Sequence, residues 1–388
     1  MEGYVMKNAK KALFKCLTLA MAATLSFGAA GCSWFDKSEE KKEQEFIQAL
    51  GGVSETYKGE VSASSYSSAT NAAQAYVREQ VVGEQSATIV NTTSQGTLSN
   101  EQVNALQLPA EVQDGIVSVE KMQVEYSTSA TAYTSTNTQN KTVTVYVIKY
   151  ATDWKYYTPA PITGETISKS YYDSVFNYEK YENCTFTNTM TINMTLAMVI
   201  NVKVILTQTV KHENGKLYME QTTAFSGLGE EESDYLALYI EETGSSAQCY
   251  AKTAQEGSWS SATLHQVGYN SIEELRPFYN DYLDYSYFTK TEYGFRMADE
   301  NAKKYIQETL AKEESIKEFF EESNSLDMDL FIKYYVSEGV LSGIRQDASF
   351  DLNINLEEEG AITVKVELTN KTICTNYGTT TIERPNIG

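Results

Sequence analysis

The sequence is poor in the residues that enzymes most often use. It has two histidines, His212 and His265, each in polar surroundings, and a solvent-facing place is expected for both. It contains no HExxH, GxSxG, GxxxxGK[ST] or GxGxxG stretch. The spacings that hold a catalytic zinc, a nucleophilic serine or nucleotide phosphates are therefore missing. Cysteine is scarce too. Cys16 and Cys32 lie near the N-terminus, and Cys184, Cys249 and Cys374 are spread too widely for a CxxC metal or redox motif. Three thiols allow one disulfide at most, and buried free thiols are the expected state. Basic residues are outnumbered, 31 Lys and Arg against 52 Asp and Glu, for a net charge of −21. That balance argues against nucleic acid, whose phosphates demand basic patches, and against a body lying flat on an anionic membrane. Past residue 31 there is no apolar run of 18 or more residues, so no later helix is expected to span a bilayer. Asp281 and Asp284 share a helical spacing, and Glu230–Glu232 and Glu357–Glu359 form acidic triplets. Solvated faces and loops are the expected place for all of them. No enzyme, metal site or cofactor is predicted.

What the chain has in quantity is tyrosine, 28 against 14 Phe and 3 Trp. Tyrosine suits half-wet positions and has high strand propensity, so it serves either as strand filler or as ligand-facing surface. The N-terminus is also distinctive. Lys7, Lys10, Lys11 and Lys15 form a basic head, and Leu17 to Phe27 an apolar core. Gly28-Ala29-Ala30-Gly31-Cys32 follows as a small-residue cleavage region. These are the marks of a secretory signal, with an apolar core too short to span a bilayer. Ser33 to Glu45 is densely charged and reads as a solvated spacer.

Ala29-Ala30-Gly31-Cys32 resembles the bacterial lipobox, with Ala29 where that pattern more often has Leu. The resemblance implies cleavage before Cys32 and a diacylglyceryl thioether on its sulfur. Two acyl chains suffice for stable membrane anchoring. The predicted organisation is a signal at 1–31, a lipidated Cys32 with a charged spacer to 58, a small α+β domain at 59–165 and a larger domain at 166–388. The predicted location is the extracytoplasmic face of a membrane, as at a Gram-positive cell surface.

In the small domain, helical spacing at Ala69–Val82 and a Ser99/Gln102 capping box precede strands at Ile116–Tyr126 and Thr142–Tyr150. The Ser/Thr/Asn-rich stretch between those strands reads as a loop. In the larger domain Tyr171–Phe176 reads as a helical entry. From Phe186 onward apolar and hydroxyl residues then alternate with period two. Asn214-Gly215 and Glu338-Gly339 mark hairpin turns. Helices are predicted from Ser271 to about Tyr285 and from Asp299 to about Phe320, with further hairpin strands up to Leu368. The predicted class is α+β, a curved antiparallel half-barrel sheet covered by helices.

Residues 166–388 resemble the half-open β-barrel lipoproteins of the LolA/LppX type. The resemblance rests on the Thr/Met-alternating strands at 185–210, the hairpin Asn214-Gly215-Lys216-Leu217-Tyr218-Met219 and Trp259. The closing Tyr377-Gly378 and Ile382-Glu383-Arg384-Pro385 complete it. It implies a concave apolar face that holds acyl chains or another hydrophobic ligand. The candidate ligand-facing or core residues are Met190, Ile192, Met194, Leu196, Met198, Val202, Val204, Leu206 and Met219. Methionines suit either an adaptable pocket or ordinary core. Two functions follow: a membrane-anchored, non-enzymatic lipoprotein that binds lipid or another hydrophobic ligand, or an interaction module presenting its surface to glycan or a protein partner.

Overall fold

The computed structural model describes residues 39–53, 59–81, 87–106, 108–132, 135–160, 162–196, 200–227, 230–243, 246–267, 283–308, 328–356 and 360–386. Cys32, Met198, Asp281 and the acidic stretch 357–359 lie outside them, as does the predicted helix at 271–285 save its last residues. The chain divides into two units. One is Glu55–Val175 with Thr289–Glu292, and the other is the rest.

The smaller unit is a five-stranded antiparallel sheet of order β1-β5-β4-β3-β2. Its strands are β1 (Gly59–Val61), β2 (Ala87–Thr97), β3 (Ser118–Ala132), β4 (Ser135–Lys149) and β5 (Trp154–Pro159). Small side chains let a helix sit close on one sheet face. Ala72, Ala73 and Ala75 of the helix Ala69–Tyr76, and Val77 just after it, pack against Met122, Val124, Val145 and Val147. Leu108 and the Asn100–Ala105 helix with its Ser99/Gln102 capping box cover a second cluster at Val119, Ile148 and Tyr157. The stretch read as a loop at 127–140 instead continues β3 and β4, which pair in register from Ser118↔Lys149 to Ala132↔Ser135. Threonine is β-branched and accepts an extended backbone readily once a partner strand is present. The short helix Lys169–Val175, predicted as an entry to the later domain, belongs to this smaller unit.

The larger unit is built on long hairpins. In chain order its strands are β6 (Asn183–Leu196), β7 (Ile200–Glu213), β8 (Lys216–Gly227), β9 (Glu230–Thr243), β10 (Ser246–Lys252) and β11 (Ser260–Ala262). After β12 (Phe288–Thr291) come β13 (Gly294–Met297), β14 (Met328–Ser337), β15 (Val340–Leu356) and β16 (Gly360–Thr375). They line up as β11-β10-β9-β8-β7-β6-β16-β15-β14-β13, all antiparallel. β6 and β16 lie side by side at the centre, paired from Leu196↔Val364 to Thr185↔Thr375. Asn214 and Gly215 take φ of 41° and 82°, the left-handed pair that a two-residue hairpin turn requires. Glu338 and Gly339 do the same at 53° and 75°.

The expected α+β class with helices over a half-barrel does not hold. The chain is mostly β, with two large antiparallel sheets that do not close and little helical cover. One physical cause stands out: strands run on through Thr-rich segments that composition marks as loops. Asp299–Glu308 is helical as expected, and the rest of that predicted helix, to Phe320, lies outside the described residues. A further helix, Glu39–Ala49, falls within the stretch read as a solvated spacer. It packs on the opposite, polar face of the sheet. Phe46 is fully buried there, with its ring edge-on to Tyr335 at 5.0 Å. Gly343 makes the seat: a Cβ added to it would lie 2.7 Å from Leu50 Cδ2 and 3.1 Å from Phe46 Cζ.

Candidate functional site

Register places the sequence-predicted residues on one face of the larger sheet. Met194 stands opposite Val202 and Val366, Ile192 opposite Val204 and Leu368, and Met190 opposite Leu206 and Asn370. Met190, Ile192, Met194, Val202 and Val204 are all buried, Ile192 at 1% exposure, and Leu206 is half-buried. Leu196 continues the pairing opposite Ile200. Met219 is buried but stands apart, across a belt of polar side chains. Gln208 Nε2 donates to Met219 Sδ at 3.0 Å and to Gln221 Oε1 at 3.2 Å. Asn188 Nδ2 donates to Gln208 Oε1 at 3.3 Å, and Thr372 Oγ1 to Asn188 Oδ1 at 3.3 Å. One row on, Asn370 donates to Gln346. Amides buried in an apolar face must find each other, because an unmade hydrogen bond costs about 1–3 kcal/mol there. The belt therefore fixes strand register as much as it divides the face.

His212 lies on this same face, opposite Cys184 and Leu217, and is 8% exposed. The surface position expected for it is wrong. Lys211 and Glu213 are its sequence neighbours but point to the other face, since strand side chains alternate. Burial pushes the imidazole pKa down to about 4. Burial likewise raises the Cys184 and Cys374 thiols. Cys184, Cys249 and Cys374 are all free and buried.

The opposite face holds an arrangement that residue-by-residue reading missed. Arg296 pairs with Lys333, Lys333 with Arg345, and Arg345 with Lys371, each directly across a strand boundary from β13 to β16. Directly opposed residues share a face, so four cations stand in a row. Like charges in that relation are destabilising. Carboxylates stand beside Lys333, Arg345 and Arg296. Glu43 of the N-terminal helix pairs with Lys333, Asp347 with Arg345, and Asp299 with Arg296 at 3.4 Å. Arg345 is 1% exposed and lies over the Phe331 ring at 4.8 Å. Burial pulls the Lys333 ammonium below its usual range, with Arg296 and Arg345 adding to the fall and Glu43 opposing it. Lys371 Nζ sits 5.6 Å over the Phe46 ring.

Beside this row is a cavity of about 330 Å³. β13 pairs with β14 only over Gly294–Arg296, so Met328–Phe331 run on past it, and the helix Asp299–Glu308 packs against β14. Its apolar lining residues are Met328, Leu330, Phe331, Ala302 and Ala348; Phe331 shares the face of the cation row, whereas Met328 and Leu330 stand opposite Phe350 and Ala348 on the Met-rich face. Lys42, Arg345, Lys371 and Lys303 supply cations and Asp299, Asp329 and Asp347 carboxylates. Two of these carboxylates are the ones already matched to Arg296 and Arg345.

Models of protein families, curated proteins and solved structures were compared with the chain, and none matches it.

Proposed function

We propose that the chain is a lipid-anchored extracytoplasmic binding protein, without catalysis of its own, that holds a hydrophobic small molecule in the cavity beside the N-terminal helix. The anchor reading rests on the Lys7–Lys15 head, the apolar core and the Ala29-Ala30-Gly31-Cys32 pattern. A Gram-positive cell surface is the compartment that pattern fits. The ligand reading rests on one observation: a cavity of about 330 Å³ whose lining includes Met328, Leu330, Phe331, Ala302 and Ala348. That size falls at the lower end of small-molecule sites. Met190, Ile192, Met194, Val202 and Val204, where the LolA/LppX resemblance would put a ligand, are buried, so the site is assigned to the cavity at β14.

Both halves are open to test. Metabolic labelling with palmitate should mark the wild-type chain and leave Cys32→Ala unmarked; equal labelling of the two would remove the anchor. Purified Cys32→Ala chain should release a hydrophobic small molecule into an organic extract, seen by mass spectrometry. An empty extract, together with no saturable binding of an anilinonaphthalene probe, would remove the ligand reading. A second reading, a scaffold that presents its surface to glycan or a protein partner, is favoured by the close packing of the Met-rich face. Retention on a cell-wall glycan resin would support it, and loss in the flow-through would count against it.

A further inference from the structure

The polar face of the larger sheet carries a second group of side chains, on β7 to β10. Register sets Lys211, Tyr218, Tyr239 and Tyr250 abreast, and Glu220 in line with Lys252 across Ala237. Tyr235 stands opposite Thr222, four residues along β8 from Tyr218, or about 14 Å of strand. Trp259 lies beside Tyr218, with ring centroids 6.4 Å apart. Tyr218, Tyr235 and Trp259 are half-buried, and the facing pair Thr207 and Thr222 is exposed. Glu220 is held from two sides, for Tyr235 donates to its Oε1 at 3.0 Å and Tyr218 to its Oε2 at 3.3 Å. A carboxylate accepts at roughly four positions, so further donors can still reach it. Lys211 Nζ lies 5.9 Å from the centre of the Tyr218 ring and Lys252 Nζ 5.8 Å from that of Tyr235, and neither lysine forms an ion pair among the described residues.

Rings with an acceptor and two donors at their margins match the surface of a sugar, whose faces are C–H groups and whose rim is hydroxyls. Tyr and Trp supply such contact area at little cost in side-chain entropy. Charge narrows the partner further. Glu213 pairs with Lys216 and Glu241 with Arg384 at one end of the face, while Lys211, Lys252 and Glu220 leave the middle slightly positive. A polycation is opposed by that local balance, and a polyanion by a chain of net charge −21. An uncharged polymer meets neither. We propose that this face binds an uncharged oligosaccharide, its rings against Tyr218, Trp259 and Tyr235 and its hydroxyls bonded to Glu220, Lys211 and Lys252. The proposal rests on the scaffold reading above, gives it a surface and a partner, and is independent of the cavity. The span from Tyr218 to Tyr235 calls for more than one sugar unit.

The test titrates the Cys32→Ala chain with hexamers of N-acetylglucosamine, mannose and xylose, with the matching monosaccharides and with polygalacturonate. At least one neutral hexamer should bind saturably in isothermal titration, its monosaccharide at least tenfold more weakly, and polygalacturonate not at all. Trp259→Ala and Tyr218→Ala should each weaken that hexamer about tenfold. Trp259 precedes β11, so its removal spares the strand pairing, and thermal melts of the variants check that they fold. Both should bind the anilinonaphthalene probe as the parent does. No saturable binding of any hexamer would overturn the proposal, and so would tighter binding of polygalacturonate. A hexamer bound equally by the parent and both variants would remove this face from recognition. Retention of all three chains alike on the cell-wall glycan resin would keep the scaffold reading and discard this surface. Loss of all three in the flow-through, with no hexamer bound, would remove both.

Discussion

On one face of the larger sheet Met190, Ile192, Met194, Val202 and Val204 close against one another around a belt of paired amides. On the other, four cations stand in line beside a charged helix and a cavity. The first face is the arrangement that stability alone selects: apolar area removed from water, with its amides hydrogen-bonded to one another. The second gives stability away. It buries Arg345 and Lys333 and relies on Glu43 and Asp347 to hold them. The same strands supply both, since alternation sends successive residues to opposite sides. Function is better sought where the fold accepts a penalty than where the sequence is greasiest.

The sharpest way to break this contrast is to damage each face and read stability and binding separately. Ile192→Ala should destabilise the chain by about 4 kcal/mol in urea unfolding, as large-to-small changes in a packed core do. Binding of the anilinonaphthalene probe should be untouched in the fraction that remains folded. Gly343→Ala should cost about 3 kcal/mol, because the new methyl meets Leu50, Phe46 and the Thr372 carbonyl oxygen. Unlike Ile192→Ala it should also weaken binding of the anilinonaphthalene probe, since the helix it unseats lines the cavity at Lys42. Equal binding losses for the two variants would erase the distinction between the faces.

Acid should act on the Met-rich face. With its folded pKa near 4 and its ordinary value at 6.5, His212 is neutral when folded and takes up a proton when unfolded between those limits. The unfolded chain then binds more protons, so stability rises with pH across that window and falls by about 3 kcal/mol from pH 6.5 to 4. His212→Gln should flatten that slope in urea melts taken at successive pH values; an unchanged slope would place the acid sensitivity elsewhere. The smallest effect is expected at the ion pair on the other face. Glu43→Gln leaves Lys333 buried without its carboxylate and should cost about 2 kcal/mol, less than a fully buried pair because Glu43 is partly exposed. Glu43→Gln combined with Lys333→Met should recover most of that loss in thermal melts.

Local order was readable in the sequence where one pattern sufficed. Period-two alternation marks β6 and β7, Asn214-Gly215 marks their neighbouring turn, and Ser99 with Gln102 marks a helix start. What escaped depends on partners distant in sequence. Phe46 and Leu50 are a thin apolar stripe in a charged stretch, and only the Gly343 gap on the sheet gives them a seat. The cation row is invisible until register is known. The turn at Glu338-Gly339 is nonetheless marked in the sequence. Counting outward from it pairs Lys333 with Ile344; only the bulge between Tyr335 and Val336 shifts the register by one and brings Lys333 opposite Arg345. His212 was misjudged by reading its immediate neighbours instead of the residues two away. The low helix content followed from the same source, since Thr-rich stretches became strand only by pairing.

The placement of the Glu39–Ala49 helix changes the reach of the proposed anchor. A spacer from Cys32 to residue 58 could extend about 90 Å, whereas the seven residues from Cys32 to Glu39 span at most about 25 Å. A leash that short would turn the membrane from a distant support into a reservoir. The cavity wall at Lys42 begins one helical turn further on, which would put it within reach of hydrophobic molecules that leave the bilayer. Capture there would be governed by the high effective concentration of a tethered site and not by the dilute level of the same molecules in the surrounding medium.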